Sequence, residues 1–198
     1  MEEVTLVTDL FDKKIGLRPP QGQMDIVTLS NISYLTPTVK KIKSKPFIID
    51  SAGEYSLKGI NIEGIESFQD NQSGEKKGRN TIFTIESEDI RLCHLGNLGH
   101  VLTEKQVEAI GEVDILLISA GDDNLTLKQR KEIVGQLEPG IIIPMNYKVK
   151  GLKTKDIKDC SEFCNEYGSS RQKKEKRLSV KAKDVKEMEN NLVILDIN

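Results

Sequence analysis

The chain has 198 residues, of which 37% are hydrophobic and 30% charged, with a formal net charge of −2. That length suits a single domain, 1–198, with a real core, and the charge balance argues against nucleic acid or an acidic membrane as partner. No apolar run approaches the ~20 residues of a membrane-spanning helix, and the acidic start MEEVTLVTDLF lacks the basic-then-apolar order of a secretion signal; a soluble, cytoplasmic protein is expected.

Short runs rich in β-branched residues recur along the chain at 4–11, 24–30, 46–51, 60–68, 80–87, 90–95, 113–119, 140–146 and 191–197. Most are bounded by Gly, Pro, Asn or Asp, which marks them as strands. DILLIS and GIIIPM are continuously apolar, as strands covered on both faces are. Helical spacing predicts three helices between the later strands. The first, 102–110, opens on the capping pattern Thr103-x-x-Gln106 and stops at Gly111. The second, 125–139, carries Leu127, Ile133, Val134 and Leu137 on one face. The third, 153–168, places Ile157, Cys160, Phe163, Cys164 and Tyr167 at helical spacing. Strands early and strand–helix alternation late predict two sheets with helices outside them, an α/β sandwich. The segments 70–80 and 169–177 read as polar loops; the second is basic but has no interleaved aromatics for stacking on bases.

Chemistry belongs at the strand ends, where loops rich in small polar residues should converge. These loops are SNISYLTP (30–37), SFQD (67–70), HLGNLGH (94–100), SAGDD (119–123) and PMNY (144–147). Both histidines, His94 and His100, lie in one of them. A Ser119 nucleophile would need one of these two as its base; the plainer reading of SAGDDN is a turn into a helix N-terminus. A metal held by His94, His100, Asp70 and Cys93 is a further alternative. Cys160 and Cys164, i and i+4 without histidines nearby, read as small buried hydrophobes.

The ordered strings VTDLFDKKIGLRPP, DIVTLSNISYLTP, SAGEYSLKGINIEGIESFQD, GRNTIF, LCHLGNLGHVLTEKQ, GEVDILLIS and QLEPGIIIPMNY resemble the metallo-β-lactamase superfamily, and within it the branch of small β-lactamase-fold zinc-dependent hydrolases. The closing RLSVKAKDV…NLVILDI resembles the end of that branch. The resemblance implies an αββα sandwich of two mixed sheets with helices outside. It also implies a first hairpin that this sequence, starting at Met1, lacks. The strand bearing Val4, Leu6 and Val7 would then be an open edge, and a homo-oligomer is expected to close it.

The same resemblance implies metal ligands, and this sequence departs from them. The His-x-His-x-Asp-His positions fall on Asn31, Ser33, Leu35 and Thr36; the next histidine falls on Gln69, the bridging aspartate on Asn97 and the last histidine on Asn146. Neutral amides and hydroxyls offset a divalent charge poorly, and leucine has no lone pair. The expectation is therefore a degenerate, metal-free and cofactor-free member of the fold, acting by binding or assembly. Its site would be the rim of the former metal pocket: Asn31, Ser33, Gln69, His94, Asn97 and Asn146. A small molecule or protein would be its ligand. The alternative is a hydrolase of a phosphoester or lactone working through an altered site.

Overall fold

Long connections rather than hairpins join the first three strands, which is what parallel pairing requires. In the computed structural model, which describes residues 3–34, 37–167 and 175–196, β1 (Leu6–Thr8), β2 (Ile26–Thr28) and β3 (Phe47–Ile49) form a three-stranded sheet in that order. Leu6 is in register with Ile26, and Ile26 with Phe47. The expectation of two mixed sheets is corrected at this point: the small sheet is wholly parallel, and only the large one mixes directions.

The large sheet has seven strands. They are β4 (Gly53–Leu57), β5 (Ile60–Phe68), β6 (Arg79–Ser87), β7 (Ile90–His94), β8 (Ile115–Ser119), β9 (Ile141–Met145) and β10 (Asn191–Leu192), and their spatial order reverses the sequence exchange-free, from β10 through to β4. β4 through β7 pair antiparallel, and β7 through β10 parallel. β4 was not among the expected strands: only Tyr55 and Leu57 give it an apolar face, and its other residues are exposed.

The two sheets face each other across Ile26, Ile49, Ile60, Ile62 and Phe83. Strands β8 and β9 bury both faces, as their continuous apolar runs require: Ile115, Ile141 and Ile143 pack beneath the C-terminal segment, while Leu116, Ile118 and Ile142 face outward. Over that outer face lie α2 (Glu104–Ile110), α3 (Leu127–Leu137) and α4 (Ser161–Glu166). The short α1 (Pro37–Lys40) and the loops around it cover the small sheet, and α5 (Ala182–Val185) lies in the C-terminal segment. No helix among the described residues is long and apolar enough to cross a membrane.

Thr103 and Gln106 form the expected capping box of α2, and Thr126 with Gln129 form a second on α3. The third helix is shorter than its periodicity suggests. Residues 153–160 are instead drawn along the strand-end loops, where Lys148 N–H donates to Lys158 O at 2.7 Å and Lys158 N–H to Gly121 O at 2.8 Å. Gly121 allows that approach, since a Cβ there would lie 2.3 Å from Lys158 O. The basic run 169–177 lies mostly outside the described residues.

Candidate functional site

Three other strand-end loops and strand β6 meet around Asn97, in the turn after β7. Its Oδ1 accepts from Asn146 Nδ2 at 3.2 Å, and its Nδ2 donates to the Tyr34 phenol oxygen at 3.1 Å. Its backbone N–H donates to Asn80 Oδ1 at 2.9 Å, and its carbonyl accepts from Asn124 Nδ2 at 3.2 Å. Asn80 is 2% exposed and is itself held by Ser67 Oγ and the Leu95 carbonyl. The backbone fits this use. Asn146 has φ +50°, a left-handed conformation that asparagine tolerates better than most residues. Gly96, at φ +59°, passes so close to Ser30 that a Cβ would lie 2.4 Å from the serine Cβ. The result is a neutral network of carboxamides and one phenol in which each group has partners, as buried polar groups require.

Beside this network opens a cavity of about 550 Å³. Asn97, Asn146, Asn124, Tyr34, Asp9 and Asp122 line its polar end. Its remaining wall is largely apolar and includes Phe11, Ile15, Leu17, Leu117, Leu152 and Ile157. Burial pushes the Tyr34 phenol up to about 12, reinforced by the charges of Asp9 and Asp122. The phenol is therefore a neutral donor and acceptor at ordinary pH.

The residues do not fit the metal that the family resemblance implies. Neutral carboxamides stand at Asn97 and Asn146; the Asn97 oxygen accepts from Asn146 Nδ2, and its amide nitrogen donates to Tyr34. Asp9 accepts from the Ser30 N–H and Oγ, each at 2.6 Å. Asp122 accepts from Ser119 Oγ, from Asn124 N–H at 3.0 Å and from Arg130 Nη2 at 3.2 Å. Among the described residues, no three of His, Cys, Asp and Glu gather as metal ligands would, and that includes the set His94, His100, Asp70 and Cys93.

Of the six residues expected at one rim, Asn97 and Asn146 line this cavity. Asn31 and Gln69 meet elsewhere, on the Arg79 carbonyl, at 2.7 and 3.1 Å. Asn31 borders a neighbouring cleft with Ile32, Phe68 and Arg79. Ser33 is exposed, and its N–H donates to Asn31 Oδ1 at 2.7 Å. His94 lies beneath the rim, 2% exposed, with Nε2 at 3.7 Å from Asp9 and no hydrogen-bond partner at Nδ1. Burial lowers its pKa against the opposing pull of Asp9, so the imidazole is neutral. Leu35 and Thr36 lie outside the described residues.

Neither histidine serves Ser119. His100 Nε2 accepts from Phe68 N–H at 3.3 Å, which leaves Nδ1 to donate to the Val101 carbonyl at 2.8 Å. The Ser119 hydroxyl donates to Asp122, and that carboxylate is gripped by Arg130 of α3. This is the arrangement of a turn entering a helix. Sequence reasoning missed Asp9, Tyr34 and Asn124, which the structure brings to the cavity, whereas Asn80 in GRN was expected to pack beside the site and does so. The small polar loop 30–37 and the turn SAGDDN were the one visible signal for Tyr34 and Asn124; Asp9 had none.

A model of the beta-lactamase superfamily domain matches residues 1–146. The structure is similar to that of a metallo-beta-lactamase superfamily protein from Thermotoga maritima, with 33% identity, 98% of this chain and 90% of that chain covered, and a TM-score of 0.75. It also shares its fold with Igni18, a metallo hydrolase of the archaeon Ignicoccus hospitalis, at 14% identity, with 89% and 78% coverage and a TM-score of 0.57. A search of curated proteins finds no match. The sandwich of two sheets, the convergent strand-end loops and these likenesses agree: the chain belongs to the beta-lactamase superfamily.

Proposed function

We propose that this chain is a catalytically degenerate member of its superfamily, which binds a ligand in the strand-end cavity without a metal ion. The observation that carries this reading is the contact between the Asn146 and Asn97 side chains. A hydrolytic zinc site needs about three anionic or imidazole ligands and an open position for water. Two neutral amides that hydrogen-bond each other supply no charge at that point, and their oxygens are far weaker ligands than carboxylate or imidazole. The cavity volume of about 550 Å³ is within the range of small-molecule sites, and its apolar wall with a few polar groups at one end matches their composition.

Elemental analysis of protein purified without a histidine tag tests the reading. Well under one zinc, iron or manganese per chain is expected, and added zinc should leave the melting temperature unchanged, because a ligand stabilises only the state it binds. One tightly held ion per chain overturns the proposal.

A further inference from the structure

Among the described residues the cavity wall includes no lysine, arginine or histidine, yet it carries two carboxylates. Asp122 is neutralised by Arg130, whose Nη2 lies 3.2 Å from Oδ1 and also donates to the Asp122 carbonyl at 2.6 Å. Asp9 has no such partner among the described residues. Its oxygens accept from the Ser30 amide and hydroxyl, both neutral, and the imidazole facing it belongs to the buried, neutral His94. The charge of Asp9 thus stands uncompensated at the polar end of a largely apolar space, where low dielectric strengthens its field.

Aromatic rings line the same cavity. The chain has five Phe and four Tyr, and three of these nine, Phe11, Tyr34 and Tyr147, line this one cavity. Aromatic faces attract cations, and they do so most for weakly hydrated ammonium groups in desolvated sites. An anionic ligand would meet Asp9 with no cation to offset it. A neutral ligand would leave that charge unanswered.

We infer that the cavity takes an organic ammonium ion bearing an apolar chain. The cation would sit by Asp9 and Tyr34, with the chain against Ile15, Leu17, Leu152 and Ile157. This inference rests on the reading of the cavity as a metal-independent binding site, and it names the class of ligand.

The test is titration of the full chain with hexyltrimethylammonium, hexanoate and 1-hexanol, followed by calorimetry and by NMR of the Tyr34, Asn97 and Asn146 resonances. The ammonium probe should bind at least about tenfold more tightly than the other two and perturb those resonances. Asp9→Asn should remove that preference while leaving hexanol binding in place. If Asp9→Asn fails to fold, Tyr34→Leu, which deletes a ring but no charge, should weaken the ammonium probe more than hexanol. Equal binding of hexanoate or hexanol overturns the cation assignment and leaves the binding cavity standing. Failure of all three probes to bind overturns both.

Discussion

The Asn146 side chain donates to the Asn97 carboxamide oxygen across 3.2 Å, joining two loops that are 49 positions apart in the chain. Tyr34 completes the contact from a third loop, 63 positions from Asn97. The polar end of the cavity is thus held by neutral hydrogen bonds, and its stability should depend on their completeness.

Asn97→Ala leaves Asn146 Nδ2 and the Tyr34 hydroxyl without their shared partner in a part-buried setting. Orphaning buried polar groups costs about 1–3 kcal/mol, and a loss of that size is expected in urea unfolding of the variant. A loss below about 0.5 kcal/mol would show that water replaces the carboxamide freely.

His94 should make the fold sensitive to mild acid. Burial depresses its folded pKa below the ordinary imidazole value, against the opposing pull of Asp9. The unfolded state therefore binds a proton more readily, and stability is complete above the unfolded pKa and lost as pH falls below it. Wild-type stability should decline between pH 7 and about 5, and His94→Gln, which cannot ionise, should flatten that decline. An unchanged slope in the variant would locate the acid sensitivity elsewhere.

Asp70 acts in more acidic solution. Its carboxylate accepts from the backbone N–H groups of Lys77, Gln72, Gly74 and Lys76, at 2.6, 2.8, 2.9 and 3.1 Å. The Lys77 bond leads in holding its pKa down at about 2. Because the folded value is depressed, the contribution is present above the unfolded pKa near ~4 and lost as pH falls towards 2. Asp70→Asn should destabilise the 70–78 loop at pH 7, seen as faster amide exchange there, with the difference from wild type closing near pH 2.

Strand β1 lies at one edge of the three-stranded sheet. Asp9 N–H bonds inward to the Thr28 carbonyl at 2.8 Å, so strand alternation turns the Thr8 N–H outward. Pairing of two copies along this edge is the expected mode of self-association. Light scattering at micromolar concentration should give the mass of a dimer, and Thr8→Pro, which removes that outward donor, should give a monomer. Leu6 packs into the core between the sheets, so a charge placed there would report on folding rather than on the edge.

By itself the sequence determined every strand but β4, two of the three expected helices and the family. Apolar periodicity is a local property, legible in runs such as DILLIS, and the capping boxes at Thr103 and Thr126 are fixed by residues three apart. The resemblance to the family also implied that amides, at Asn31, Gln69, Asn97 and Asn146, stand where relatives would place ionisable side chains. Tertiary structure alone decided which of those amides touch. Asn97 and Asn146 share a cavity, whereas Asn31 and Gln69 close on the Arg79 carbonyl, and His94 is sealed beneath them. It also drew residues 153–160 out of helix, because backbone partners at Lys148 and Gly121 satisfied that segment better than its own periodicity could. The reason is range: patterning reports which face of an element is apolar, but the pairing of side chains more than sixty residues apart, such as Tyr34 and Asn97, depends on how the sheets stack and where their loops end.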